Sequence, residues 1–310
     1  MKDKRLTVSI GIPVHNETAN IGYLLDSIIK QKQICYKLEK IIVICDGTTD
    51  GTDRKVTEKA KKNKPIKLYN DGVRKGKKKR LEQIYKLNNS DVVITFDGDV
   101  VLCDSNVLNK MMENFYKGKI GVVSARLAPI SENTFFGRLQ VAWYKVWLEA
   151  RKDYKNGNNI NNIRGCSLAM RSSLAKNIRF DQEIVSDAQF IYFFALKNKY
   201  KFKWVRDAVV LFRVPSTLRD FLAQKTRSTN GKQQLAERFG AKIISEYKIP
   251  NSYKIKAMVK MTTMHPFSTI AASLFQIWFR AFSHQLKRTY DHGIWKQASS
   301  TKKAIKITSI

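Results

Sequence analysis

The fold of this 310-residue chain is decided by the stretch Asp91-Val92-Val93-Ile94-Thr95-Phe96-Asp97-Gly98-Asp99-Val100. Its apolar half is rich in β-branched residues and predicts a buried strand. Acids at the carboxyl end of a parallel strand lie where open α/β sheets bind ligands, and Gly98 lets a ligand approach the backbone closely. Because Mg²⁺ takes one or two carboxylates and completes its shell with phosphate oxygens, Asp97 and Asp99 predict a metal–diphosphate site. The same tripeptide also forms ordinary turns.

The segments before this strand alternate between strand and helix patterns. Residues 6–13 and 41–45 are apolar and predict strands, and the helical spacing of residues 21–29 predicts a helix that Thr18 or Asn20 caps. Such alternation predicts an α/β fold with a mostly parallel sheet and right-handed crossovers. Asp46, which follows the strand at 41–45, is therefore expected beside Asp97 at the same sheet edge.

Four segments, in this order, resemble motifs of the family 2 glycosyltransferases, which have a Rossmann-like GT-A fold: Pro13-Val14-His15-Asn16-Glu17, Cys45-Asp46-Gly47-Thr48-Thr49-Asp50-Gly51-Thr52, Arg74-Lys75-Gly76-Lys77 and Asp97-Gly98-Asp99. The second lacks the first Asp and the Ser of the family motif, and the third has one residue fewer between Arg and Gly. The resemblance implies an inverting, metal-dependent transfer of a sugar from a nucleotide-diphosphate sugar, with Mn²⁺ or Mg²⁺ as cofactor.

The resemblance also implies roles for single residues on the donor side. Asp99 would ligate the metal, and a second motif, Gln224-Lys225-Thr226-Arg227-Ser228, is similar to the Gln-x-x-Arg-Trp of membrane-bound members, with Ser228 in place of Trp. Its Gln and Arg would contact the diphosphate, which suits the planar guanidinium. The residues expected to bind the nucleotide sugar are Pro13, Glu17, Asp46, Arg74, Lys77, Asp97, Gln224 and Arg227.

The acceptor side is expected further along the chain. Gly165, Cys166 and Ser167 belong to a segment similar to the Gly-rich acceptor loop of the family, and Asp187 occupies the place of the general base. A carboxylate there would take the proton of the attacking hydroxyl. Ser186 or Asp187 also suits an ordinary helix N-cap, and the two roles of Asp187 are compatible.

The composition restricts the partners. With 57 Lys and Arg against 26 Asp and Glu, the net charge is +31, which predicts an anionic partner surface. The four cysteines lack the spacing of metal ligands and are expected to be reduced thiols of a cytoplasmic protein. A basic nucleic-acid-binding protein is an alternative, but no reading motif supports it, and we expect no nucleic acid partner. A nucleotidyltransferase of similar fold is disfavoured because His15-Asn16-Glu17 stands where its Gly-rich loop would be.

The C-terminal part carries an uncharged helical segment over residues 266–279, too short to span a bilayer. Its apolar stripe, with basic residues after it (Arg280, His284, Lys287, Arg288, Lys296, Lys302, Lys303 and Lys306), predicts a helix in the membrane interface, and a core helix is the alternative. We therefore expect a catalytic domain over 1–215 and a helical region over 216–310 that closes the donor site. The predicted location is the inner face of the cell membrane, as a peripheral or monotopic protein, with a UDP-sugar as donor and a lipid-linked or saccharide acceptor.

Overall fold

The computed structural model describes residues 5–180, 186–282 and 299–305, without the side chains of residues 226–230 and 282. Its centre is one eight-stranded sheet with the strand order β3-β2-β1-β4-β7-β6-β8-β5. The strands are β1 (Leu6–Val14), β2 (Tyr36–Cys45), β3 (Ile66–Asn70), β4 (Val92–Phe96), β5 (Val100–Leu102), β6 (Ile120–Pro129), β7 (Ser167–Arg171) and β8 (Lys201–Phe212). β7 and β5 run against their neighbours and the other strands are parallel to one another, which confirms the predicted mostly parallel α/β sheet.

Helices cover both faces of this sheet. They are α1 (Ile21–Ile29), α2 (Thr52–Lys62), α3 (Lys77–Leu87), α4 (Val107–Met112), α5 (Phe135–Asp153), α6 (Ser172–Ala175), α7 (Asp187–Lys197), α8 (Leu218–Phe239), α9 (Asn251–Met264) and α10 (Pro266–Phe282). Two cores result, and the alternation of β2 divides its side chains between them, with Ile41, Val43 and Cys45 on one face and Ile42 and Ile44 on the other. The apolar runs are therefore continuous because both faces are buried.

The strand order corrects one detail of the expected sheet edge. β1 pairs with β2 on one side and with β4 on the other, so the strand that ends in Pro13 and Val14 lies between those that lead to Asp46 and Asp97. The two acids share an edge but are not neighbours across a strand pair. This arrangement brings Glu17, just after β1, to the centre of the edge.

The C-terminal part packs on the sheet domain in two places. Helices α8 and α10 contact α5 through aromatic rings, with 5.9 Å between the ring centroids of Phe136 and Phe221 and 5.3 Å between those of Phe136 and Phe275. Residues 299–305 return to α1 and α8, where Ser300 and Ile305 are buried. The boundary at residue 215 stays a prediction. Within the described residues, no helix is long and apolar enough to cross a membrane.

Candidate active site

The ends of β1 and β2 are fastened to each other by the polar residues of the first two motifs. Asn16 adopts a positive φ of 53°, and its Oδ1 accepts a hydrogen bond from the backbone N of Thr49 at 2.9 Å. The backbone N of Glu17 donates to Oγ1 of Thr52 at 2.8 Å. Asn tolerates the left-handed conformation better than most residues, so the motif shapes the turn that places Glu17.

Asp46 and Arg80 form a buried anchor for the loop before α3. The carboxylate of Asp46 accepts hydrogen bonds from the backbone N of Lys75 (2.7 Å) and of Gly76 (3.0 Å) and from Nε of Arg80 (2.9 Å). The guanidinium of Arg80 also holds Asp71 through two contacts of 3.0 and 2.6 Å, and this, with a further bond from Lys75, keeps the pKa of Asp71 well below its usual range. Asp46 thus has a structural role here, and its contact with the nucleotide stays a prediction.

Four carboxylates and two ammonium groups meet where β1, β4 and α7 converge. Nζ of Lys77 lies 2.7 Å from Oδ1 of Asp97 and 3.0 Å from Oδ2 of Asp187. Nζ of Lys302 contacts Oε1 of Glu17 and lies 2.9 Å from Oδ2 of Asp99. The structure places Lys77 between Asp97 and Asp187, and its contact with the nucleotide stays a prediction.

The cluster holds more negative charge than its own lysines neutralise. Burial, with the nearby charge of Asp99, raises the pKa of Glu17 to about 8. Burial also raises the pKa of Asp97, although Lys77 acts against this. Desolvation lowers the pKa of Lys77, but the charges of Asp187 and Asp97 outweigh it and leave that pKa above its ordinary value. The group therefore favours additional positive charge.

These residues fit a divalent cation. With all four acids ionised, the carboxylates outnumber the ammonium groups by two, and the raised pKa of Glu17 reflects this excess. Oε2 of Glu17 is buried without a hydrogen-bond partner among the described residues. Hard carboxylate oxygens are the ligands that Mg²⁺ and Mn²⁺ prefer. Among the residues that the structure describes, no three acidic, His or Cys side chains are grouped so as to hold a metal ion together, so phosphate or water oxygens would have to supply most of the shell.

Lys302 is the site residue that sequence reasoning missed, because it was grouped with the basic residues of the predicted membrane collar. Lys302 lies in the segment 299–305, which Asn20 holds at two points. Nδ2 of Asn20 donates to the carbonyl of Lys302 at 2.9 Å, and Oδ1 of Asn20 accepts from the backbone N of Ile305 at 3.0 Å. Asn20 was predicted to cap α1, but its side chain makes no capping bond. No sequence spacing links Asn20 to a segment 282 residues away.

The predicted acceptor residues lie on the other side of Asp187. A Cβ on Gly165 would stand 3.0 Å from both carboxylate oxygens of Asp187, so only glycine allows this approach without displacement. The carbonyl of Cys166 accepts a hydrogen bond from the backbone N of Asp97 at 3.3 Å, which joins the loop to the acidic strand end. Ser167 is fully buried as the first residue of β7. Its side chain therefore lies inside the sheet domain.

The remaining donor residues lie in two other places. Arg74 follows β3 and packs against Gly47, whose ideal Cβ would stand 2.9 Å from that of Arg74. Gln224 is exposed on α8, one turn before Arg227, whose backbone is helical but whose side chain lies outside the described residues. Their contacts with a diphosphate stay predictions.

Comparison with known proteins tests the family resemblance. The model of the family described as "Glycosyl transferase family 2" matches residues 9–178, which is more than half of the chain and includes the four motifs. The chain belongs to this family. The predictions of a family 2 glycosyltransferase and of its GT-A fold are confirmed.

Among curated relatives of this family 2 chain, a poly-β-1,6-N-acetyl-D-glucosamine synthase of Staphylococcus epidermidis is 24% identical over 231 residues. The alignment covers 74% of this chain and 55% of the synthase. The chain therefore spans about half the length of the curated relatives that it matches.

Solved structures show the same fold. The mannosyltransferase PcManGT from Pyrobaculum calidifontis, in complex with GDP-Man and Mn²⁺, aligns with a TM-score of 0.59 at 20% identity, over 90% of this chain and 76% of that one. Staphylococcus aureus TarS with UDP aligns with a TM-score of 0.54 at 16% identity, over 84% and 72%. Glucosyl-3-phosphoglycerate synthase from Mycobacterium tuberculosis, with Mn²⁺, UDP and phosphoglyceric acid, aligns with a TM-score of 0.52 at 18% identity, over 76% of this chain and 79% of that one.

Proposed function

We propose that this chain catalyses inverting, metal-dependent transfer of a sugar from a nucleotide-diphosphate sugar to a hydroxyl of a lipid-linked or saccharide acceptor. The observation that carries the proposal is the convergence of Glu17, Asp97, Asp99 and Asp187 around two lysines at the sheet edge. The nucleotides and Mn²⁺ in the structures with a similar fold support a nucleotide-sugar donor.

The donor would bind over β1, β2 and β4 with its diphosphate toward the carboxylate cluster. Asp99, with Asp97 and Glu17 beside it, would hold the divalent cation, which when bound supplies Lewis-acid stabilisation of the departing diphosphate. Gln224 and Arg227 on α8 would close over the phosphates. A guanidinium is suited to this because its donors match phosphate oxygens in pairs.

Asp187 would act as the general base on the acceptor side. It is the first residue of α7, where Oδ1 accepts a hydrogen bond from the backbone N of Ala188 at 2.8 Å, while Oδ2 faces Lys77. Both oxygens also face the backbone of Gly165, so a hydroxyl group held by the loop at 165–167 would meet this carboxylate. As the hydroxyl oxygen attacks the anomeric carbon, the bond from that carbon to the diphosphate breaks and Asp187 takes the hydroxyl proton, which inverts the configuration.

The donor proposal is tested by thermal unfolding of the full chain with UDP, GDP and other nucleoside diphosphates, with and without Mn²⁺. We expect the nucleoside diphosphate with the preferred nucleobase to raise the unfolding temperature, and Mn²⁺ to increase that shift. A ligand at 100 times its Kd adds about 2.7 kcal/mol to the free energy of unfolding. The same nucleotide sugar should be hydrolysed slowly in the presence of metal. The absence of any nucleotide shift at millimolar concentration would contradict the proposal.

A second element of the proposal is attachment to an anionic membrane surface through one face of α10. That face exposes Phe267 (89% accessible), Leu274 (62%) and Ile277 (63%), together with Ile270 and Trp278. The opposite face packs on the domain, with 5.7 Å between the ring centroids of Phe275 and Phe221. One face of α10 thus packs on the domain and the other exposes an apolar stripe, as expected of a helix lying in the membrane interface.

The surroundings of this stripe favour lipid over a protein partner. Ile255 and Val259 on α9 extend the exposed apolar surface, and the exposed Lys254 and Lys256 alternate with them. Basic side chains beside an apolar stripe gain about 1 kcal/mol each near anionic lipid. Of the predicted basic collar, residues 284–298 and 306 lie outside the described residues, and Lys302 faces the active site.

Membrane attachment is tested with the triple variant Phe267→Ser, Leu274→Ser, Ile277→Ser and vesicles that contain phosphatidylglycerol. The unchanged chain should sediment with the vesicles at low salt and be released as salt rises, whereas the variant should lose most of its binding. The unfolding temperature should change little because these side chains are largely exposed in the structure. Ile34→Ser, at an equally exposed residue elsewhere, is the control and should bind normally. Equal vesicle binding by the triple variant would show that another surface is used.

A further inference from the structure

Several buried nitrogen donors of the chain are not explained by the proposed reaction. Nε of Arg164, Nε and Nη1 of Arg151, and Nε2 of Gln140 and Gln276 are buried and make no hydrogen bond to any residue that the structure describes. Arg151 is only 1% accessible. Since buried polar groups are normally hydrogen-bonded, and charged ones most of all, these donors are suited to an oxygen-rich ligand.

Arg164 is fixed next to the predicted base. Its backbone N donates to Oγ of Ser124 at 3.2 Å, and its carbonyl accepts from the backbone N of Ser167 at 3.2 Å. The next residue is Gly165, whose backbone adjoins the carboxylate of Asp187. Arg164 thus belongs to the loop that faces Asp187 and that is proposed to hold the acceptor.

Arg151 extends the same donor surface along α5. Gln140 and Tyr144 precede Arg151 by eleven and seven residues, which places the three on one face of the helix. The guanidinium carbon of Arg151 lies 4.8 Å from the ring centroid of Tyr144 in a cation–π contact, and a side-chain hydrogen bond with Tyr144 also favours the charged form of Arg151. Nε and Nη1 of Arg151 have no acceptor among the described residues. Gln276 is buried on α10, which packs against α5 through Phe275 and Phe136.

The electrostatics of this region point to an anion. Burial and the neighbouring charge of Arg164 lower the pKa of Arg151 to about 10. Desolvation and the charges of Lys232, Arg280 and Arg164 lower the pKa of Lys225. The charges that lower these two pKa values are cationic, although Tyr144 acts in the opposite direction on Arg151, so a bound anion would relieve the repulsion among the cations.

We propose that this donor surface, centred on Arg164 and Arg151, binds a phosphate group of the acceptor, so that the acceptor is a phosphate-bearing alcohol and not a neutral sugar. Guanidinium groups bind phosphate oxygens through paired, charge-assisted hydrogen bonds, which gives both affinity and orientation. Because Arg164 adjoins Gly165 in the chain, the phosphate site is placed on the same loop as the attacking hydroxyl. The proposal rests on the proposed function and specifies its acceptor class.

The test measures binding of sn-glycerol 3-phosphate and of glycerol by calorimetry at constant ionic strength. The unchanged chain should bind the phosphate ester and not glycerol, and R164Q should bind it at least tenfold more weakly. R138Q is the matched control, because Arg138 lies on the exposed face of the same helix as Arg151. R151Q should weaken binding as well. Because Arg151 is buried, R151Q can also destabilise the fold, so the test relies on R164Q at the half-buried Arg164.

Two further measurements identify the source of the phosphate and separate the two proposals. If only vesicles with phosphatidylglycerol show a tenfold difference between R164Q and R138Q, the phosphate is that of a lipid headgroup. If R164Q and R138Q have equal affinity for both probes, the inference is overturned. Nucleoside diphosphate binding should be the same in R164Q and in the unchanged chain, and its absence from all of these proteins would instead contradict the donor proposal.

Discussion

Asp187→Asn is expected to lower kcat by about 10²- to 10⁴-fold, the usual contribution of a general base, while donor affinity stays nearly unchanged. The base acts on the acceptor proton in the transition state, so its loss affects kcat more than the binding of the nucleotide sugar. The measurement is steady-state transfer with varied donor, together with direct titration of the nucleoside diphosphate.

The structure lets this test separate the base from a helix cap. Asn at residue 187 keeps the Oδ1 atom that accepts from the backbone N of Ala188, so α7 should still begin normally. Ser186→Ala is the control: Ser186 occupies the N-cap but makes no side-chain capping bond, and this variant should retain full activity. A loss of donor affinity at unchanged kcat in Asp187→Asn would show that Asp187 is a donor ligand and that another residue is the base.

Asp99→Asn is expected to abolish measurable transfer and to remove the additional thermal stabilisation that Mn²⁺ gives to the nucleotide complex. The amide keeps the shape of the side chain but removes the charge that a hard divalent cation requires. Thermal unfolding with nucleotide, with and without Mn²⁺, gives a measurement independent of turnover. Asp104→Asn, at an acidic residue that pairs with Lys110 away from the cluster, should respond to Mn²⁺ as the unchanged chain does. Normal activity of Asp99→Asn in EDTA would exclude the metal role of Asp99.

Lys302 provides the counterpart of this test. Its ammonium contacts Glu17 and Asp99, two of the carboxylates proposed to lie around the cation, so we expect the two positive charges to compete. Lys302→Gln should therefore show the Mn²⁺ effect at a several-fold lower Mn²⁺ concentration, since it leaves more negative charge in the cluster. Lys303→Gln, on the exposed neighbour, should match the unchanged chain. An equal or higher Mn²⁺ requirement in Lys302→Gln would show that Lys302 does not compete for this position.

The sequence by itself determined the sheet domain and the set of candidate residues on its edge. The apolar runs before Val14, Cys45 and Phe96 are β1, β2 and β4, and each leads into polar residues that the fold collects at one end. Strand alternation and parallel crossovers impose this arrangement locally, and the match to the family confirms it. The apolar stripe of the helix over residues 266–279 could also be predicted from the sequence, because residues on one face of a helix recur every 3.6 residues.

Only the tertiary structure decided which charged groups pair. Lys77 pairs with both Asp97 and Asp187, and Arg80 of α3 joins Asp46 to Asp71. Lys302 contacts Glu17, 285 residues away in the sequence. Arg164 became a candidate binding residue only because the fold brings its charge near Arg151 and its neighbour Gly165 beside Asp187. Periodicity follows from the repeating geometry of a single element, whereas an ion pair depends on where separate elements pack, and no spacing in the sequence records that distance.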